Sequence, residues 1–419
     1  MLNWSKQFDT FCFLDNQQYS LSPHSQECLA GAGVTDRTAP NETLHGLQRF
    51  IDKHAGQWVF GHLSYDLKNS IEDLSSAHAD NLSYPDLFFF QPKVVVQLNS
   101  QQMIITATEP DLVFNQINSS ADEMDSPALR TNIKIQQRIS KADYVAVVNQ
   151  LKQHILRGDC YEINFCQEFY ASPVQLDPYG LHERLSRLSP NPFSALYRLD
   201  DKWLICASPE RFLRKQGNTL ISQPIKGTSR RVPESELEDN LKRKELLASE
   251  KDRSENVMIV DLVRNDLSRI CEEGSVKVDE LFGIYSFPQV HQMISTISGR
   301  LKAGTKFTDI IRSTFPMGSM TGAPKKRAME LIEEYEQTRR GIFSGSVGYI
   351  SPDGDFDFNV VIRSIMYNQA KAYLSFQTGS AITFYSDPQT EWEECLLKAK
   401  AMQRCFNESS DYPGSTNDR

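Results

Sequence analysis

Pro224-Ile225-Lys226-Gly227-Thr228 sets a single lysine between a strand-like run (218–223) and a Gly-Thr turn. Such an amine attacks carbon only in its neutral form, so it needs surroundings that depress its pKa. Without them it is a solvated lysine beside a turn. Two acidic pairs bear on which it is. Asp252 and Glu255 open an apolar block that runs to Asp266, and their i, i+3 spacing puts both on one side of a helix start. Glu391 and Glu394 repeat the spacing, with Lys398 one turn on and an apolar stripe (Trp392, Cys395, Leu396, Ala399, Met402) beside them. Each pair alone is explained by helix-dipole compensation or by solvent. Brought together, the two pairs would give oxygen ligands suited to Mg2+, which keeps several waters and is usually completed by an anionic substrate.

Two further elements could hold anions. Phe315-Pro-Met-Gly318-Ser-Met-Thr321-Gly322-Ala-Pro324-Lys325-Lys326 is a Gly-rich loop running into a helix with Pro at its first turn. Free N–H groups at such a start hold carboxylates or phosphates. It lacks the Gly-Lys-Ser/Thr of a Walker loop. Arg363 interrupts the apolar run Val360–Ile362, where an arginine pairs either with a bound carboxylate or with a structural one.

These residues need a large scaffold, and 419 residues can bury a sizeable core. Helices are predicted at 141–157, 179–188, 234–251, 255–267, 324–336 and 390–406. Strands are predicted at 58–63, 88–98, 104–108, 195–199, 203–207, 343–350, 360–367 and 372–378. Strands and helices do not alternate regularly, which favours an α+β fold with mixed, mostly antiparallel sheets and flanking helices over a doubly wound one. A polar stretch at 115–131 reads as a linker. It divides an N-terminal subdomain (1–125) from a catalytic domain (126–406), and the tail 407–419 reads as disordered. The net charge of −9, without a basic run carrying aromatics, argues against nucleic acid. Eight scattered cysteines without a C-x-x-C pair suggest reduced thiols. With no apolar leader and no run of transmembrane length, a cytoplasmic protein without membrane contact is expected.

Taken in order, Ser208-Pro-Glu210-Arg-Phe, Pro224-Ile-Lys226-Gly-Thr, Ser254-Glu255-Asn with Asp261-Leu-Val-Arg-Asn-Asp266, Gly318-Ser-Met-Thr-Gly-Ala-Pro-Lys325, Arg339-Arg-Gly-Ile-Phe-Ser-Gly-Ser-Val-Gly-Tyr349, Ile362-Arg363 and Glu391-Trp-Glu-Glu394 resemble the chorismate-utilising enzymes. The resemblance is strong from about Lys141 to Phe406 and continues more weakly through Gly61–Asn69. Within that family, Lys226 stands where anthranilate synthases carry alanine, and Gln167 where isochorismate synthases carry a water-activating lysine. No Leu-Leu-Glu-Ser feedback motif appears near the N-terminus. All three features are similar to the aminodeoxychorismate synthase component I branch. Its rivals are anthranilate synthase component I and a non-catalytic chorismate-binding subunit.

The resemblance implies chorismate as substrate, Mg2+ on Glu255 and Glu394 with Glu391 and Asp252 close by, and Glu210 as general acid. It implies Lys226 as covalent nucleophile at C2. Ammonia is expected from a glutamine amidotransferase subunit, since no glutaminase region is recognisable. Arg363, Thr321, Lys398 and a Gly379-Ser380-Ala381 loop would bind carboxylates, Gly227 and Thr228 would line the ring site with Gln167 nearby, and Phe343 would replace a substrate-contacting tyrosine. Gln292 occupies a position that is often histidine in anthranilate synthases.

Overall fold

A computed structural model describes residues 1–19, 27–120, 133–287 and 290–407. Among the described residues nineteen strands form one continuous hydrogen-bonded sheet with helices packed on it, and every pairing between named strands is antiparallel. The strand Leu87–Leu98 is its hub. One wing runs from it through Cys28–Arg37, Thr10–Asp15, Phe193–Leu199, Lys202–Ser208, Ser364–Asn368 and Tyr373–Ile382 to Glu162–Ala171. The other runs through Val59–Leu63, Ser346–Ile350, Phe356–Asn359, Arg211–Gln216, Thr219–Gln223 and Val290–Arg300 to Ile225–Arg230. The wings fold back on each other, so that Glu162 at one end meets Lys226 at the other.

The end strand of the first wing shows why this places polar groups inside. Ile163, Phe165 and Phe169 lie on one face, fully buried among the helices Lys141–Leu156 and Pro388–Asn407. The two-residue period then puts Glu162, Asn164, Cys166 and Glu168 on the opposite face. The helices fit their sequence. Ser140 caps Lys141–Leu156 by accepting from the Asp143 N–H, and Tyr144, Val148 and Leu151 bury at helical spacing. The expected stripe on Pro388–Asn407 is likewise inward, Tyr144 meeting Trp392 edge to face at 5.2 Å.

Several boundaries differ from expectation. The helix expected over 234–251 ends at Ala248, and Ser249 then caps a new 21-residue helix, Glu250–Ile270, which contains both Asp252 and Glu255. The strand expected over 360–367 is regular only at Ser364–Asn368, because residues 360–363 carry the chain between the two wings. The first residues of the expected linker, 115–119, belong to the helix Pro110–Ser119, which has Pro110 at its start and Val113 and Ile117 buried. Residues 121–131, the 125/126 boundary and the tail from 408 lie outside the described residues. The N-terminal strands pair directly with strands of the expected catalytic domain. No described helix is long and apolar enough to cross a membrane.

Candidate active site

The irregular strand Ile225–Arg230 turns Lys226 inward. Its register against Val290–Arg300 shifts between Ile225 and Thr228, and Gly227 occupies the left-handed region (φ 89°). A side chain at Gly227 would also press on Asp252, 3.0 Å from where its Cβ would stand. Lys226 is consequently buried, and its Nζ donates to Glu162 Oε1 at 2.7 Å. Burial alone would pull the amine's pKa down, but the carboxylates of Glu162, Glu255 and Glu210 outweigh it and hold the pKa above the ordinary value. The depressed pKa required by the sequence argument is therefore not the resting state, in which the amine is an ammonium. Thr228 is exposed, opposite Gln292.

Glu210 precedes the strand Arg211–Gln216 and is 4% exposed. Burial raises its carboxyl to about 7, with the Ser319 hydroxyl donating at 2.6 Å and the charges of Lys226 and Arg363 opposing the rise. It can thus carry a proton near neutrality. Arg363 is not a strand residue. It sits at a left-handed bend (φ 50°) just before Ser364–Asn368, where burial lowers its pKa and Glu210 restores part of it.

Three of the four carboxylates, Glu255, Glu391 and Glu394, converge on Lys251, while Asp252 lies against Gly227. Lys251 Nζ lies 3.3 Å from Glu391, 3.8 Å from Glu394 and 3.9 Å from Glu255, bridging the two helices. Burial raises the Glu255 carboxyl to about 7, with Lys226 opposing. Burial pushes Glu394 the same way, but Lys398 and Lys251 hold it below the ordinary range. Glu391 is 1% exposed. Among the described residues no three acidic, histidine or cysteine side chains already form a metal cage. Mg2+ needs only one or two carboxylates beside water and substrate. The all-oxygen donors, with Glu255 Oε1 and Glu391 Oε2 buried and without a hydrogen-bond partner, fit that requirement. Glu162 Oε2, on the partner of Lys226, and Asn256 Nδ2, next to Glu255 in sequence, are likewise buried without a hydrogen-bond partner, as are atoms elsewhere such as Gln167 Oε1 and both amide atoms of Gln292. Buried polar atoms left open in this way call for a partner.

The remaining expected residues are placed less directly. Gly379, Ser380 and Ala381 are not a loop. They lie in the strand Tyr373–Ile382, opposite Cys166, Phe165 and Asn164, and a side chain at Gly379 would strike the Phe165 carbonyl. Lys398 is engaged, donating to the Gly379 carbonyl at 2.9 Å and to Glu394 at 2.8 Å. The fully buried Thr321 gives its hydroxyl hydrogen to the Met317 carbonyl, within its own loop. Pro324 caps the helix Lys325–Tyr335 rather than opening it, and Lys325 is drawn away to Asp266 at 2.5 Å. Phe343 is packed in the core. Gln167 faces Thr378, its amide donating to Cys395 Sγ at 3.5 Å. Sequence reasoning missed Glu162, Ser319 and Lys251. For Glu162 the signal was available: a carboxylate alternating with Ile163 and Phe165 in a buried strand.

Known proteins resemble this chain over most of its length. Residues 4–404 match the family described as chorismate binding enzyme. The aminodeoxychorismate synthase component 1 of Salmonella typhimurium is 36% identical over 90% of this chain and 86% of that protein. The anthranilate synthase component 1 of Thermus thermophilus is 33% identical over 82% and 76%. The crystal structure of anthranilate synthase component I from Streptococcus pneumoniae superposes with a TM-score of 0.75 at 25% identity, covering 94% of this chain and 90% of that one.

Proposed function

The chain belongs to the chorismate-binding enzymes, and we propose that within them it converts chorismate and ammonia to 4-amino-4-deoxychorismate, the activity of an aminodeoxychorismate synthase component I. The observation that carries this is the buried Lys226 between Glu162, Glu210 and Glu255, a nucleophile where ammonia would otherwise have to bind. Lys226 Nζ, as the free amine, bonds to C2 of the ring. The double bonds shift, and the C4–O bond breaks. Glu210 gives its proton to the departing hydroxyl, which leaves as water. Ammonia then bonds to C4, the electrons shift back, and the bond to Lys226 breaks.

Glu255 and Glu394, with Glu391 and Asp252 beside them, would hold Mg2+, which when bound neutralises a substrate carboxylate. Arg363 supplies positive charge at the Glu210 end of the site, and the unpartnered amide of Gln292 offers both a donor and an acceptor to a polar ligand. The ammonia would come from a glutamine amidotransferase subunit, in keeping with the words "component 1" in the relatives' names.

The test is product analysis with chorismate, Mg2+ and ammonium, with and without added 4-amino-4-deoxychorismate lyase. 4-Aminobenzoate should appear only with the lyase. Anthranilate as the main product without it would overturn the proposal in favour of the anthranilate synthase reading.

A further inference from the structure

Two buried glutamates on the strand Glu162–Ala171 have opposite surroundings. Glu168 is saturated: Arg138 donates to one oxygen from Nε and Nη2 at 3.0 and 2.7 Å, and Tyr373 and Ser375 donate to the other at 2.9 and 2.7 Å. Glu162 is 1% exposed, yet it receives one hydrogen bond, from Lys226 at 2.7 Å, and its Oε2 has no partner among the described residues. A buried carboxylate kept as an ion needs its lone pairs filled. One left with a free oxygen beside an ammonium has a lone pair placed to accept a proton.

Resting on the covalent role of Lys226, we propose that Glu162 is the base that takes a proton from the Lys226 ammonium and so produces the amine that attacks the substrate. The other groups facing Lys226 are less suited. Glu210, just before the strand Arg211–Gln216, already accepts from Ser319 and is needed with its own proton. Glu255, from the helix Glu250–Ile270, acts on the amine through its charge and lies 3.9 Å from Lys251. Asp252 packs against Gly227, and Arg363 acts on Glu210.

The proton count closes. The resting site holds Lys226 as ammonium, Glu162 ionised and Glu210 protonated. Transfer of one proton to Glu162 frees the Nζ lone pair, which forms the bond to C2, while Glu210 loses its proton to the departing water. When ammonia bonds to C4 and Lys226 leaves as an amine, the new C4 ammonium returns a proton to Glu210, and Glu162 returns its own to Lys226.

The experiment follows adduct formation by intact-mass spectrometry in the full chain, mixed with chorismate and Mg2+ without ammonia, from pH 7 to 9. Glu162→Gln keeps an acceptor for Lys226 but cannot take the proton. It should slow the adduct by about 10²- to 10⁴-fold at pH 7, and the deficit against the wild type should narrow as rising pH lets solvent remove the proton. An adduct forming at the wild-type rate or faster would mean that Glu162 only restrains Lys226, and would overturn the proposal. If Glu162→Gln does not fold, the wild type decides alone. Its rate should fall by up to about tenfold per unit above pH 7 as Glu210 loses the proton it must donate, and a rate that stays flat or rises from pH 7 to 9 would refute internal proton transfer. Absence of any adduct in the wild type would refute the covalent role of Lys226, and this inference with it.

Discussion

Replacing Glu210 by glutamine leaves an acceptor for the Ser319 hydroxyl and removes a carboxyl whose pKa burial has raised from 4.5 to about 7. A raised pKa means that the folded chain holds this proton more firmly than the unfolded chain. The group's stabilising contribution is therefore complete below about 4.5 and lost as pH rises through 7. At about 1.36 kcal/mol per pH unit, the interval amounts to about 3 kcal/mol between pH 4.5 and pH 8. Glutamine has no such dependence, so Glu210→Gln should gain that much on the wild type across the same range. Unfolding entropy of about 2.1 cal/mol/K per residue gives about 0.9 kcal/mol/K for 419 residues, which makes the relative shift in Tm about 3–4 °C. Thermal unfolding followed by circular dichroism at pH 4.5 and pH 8 measures it directly. The same variant should lose about 10²- to 10⁴-fold in turnover as the proton donor disappears. A Tm difference equal at the two pH values would show that Glu210 is not a buried acid with a raised pKa, and the assigned donor would fall with it.

Three other outcomes follow from the site. Glu394→Gln should abolish turnover at ordinary Mg2+ concentrations while leaving the circular dichroism spectrum intact, and wild-type turnover persisting in EDTA would rule out the metal role. Glutamine alone should be inert as nitrogen source for this chain while ammonium salts at high pH support catalysis; glutamine-dependent turnover by the purified chain would contradict that. Lys226→Arg should be inactive at every pH up to 10, because guanidinium stays protonated, and measurable product from that variant would count against an amine nucleophile.

How far the sequence reached differs between local and distant features. Helical spacing alone put Glu391 and Glu394 beside the buried stripe of Trp392, Cys395, Ala399 and Met402, and that is where they lie. It also put Asp252 and Glu255 on one helix, since i, i+3 geometry is a local property. What it could not supply was the partner of Lys226. Glu162 is 64 residues away and meets Lys226 only because the two wings of the sheet close on each other. The sign of the lysine's pKa was lost for the same reason: burial and facing carboxylates compete, and only the assembled site shows which wins. Arg363 and Gly379 were misplaced because apolar runs and glycines say little about where a strand begins. The left-handed turn at Arg363 and the close pass of Gly379 over the Phe165 carbonyl are both set by tertiary packing.

The central claim, that Lys226 joins covalently to the substrate, is met most directly by peptide mapping. Wild-type chain incubated with chorismate and Mg2+ without ammonia should gain the mass of chorismate less one water, on the peptide containing Lys226, and lose it when ammonium is added as 4-amino-4-deoxychorismate appears. Lys226→Ala making that product at the wild-type rate, with no added amine other than ammonia, would contradict it.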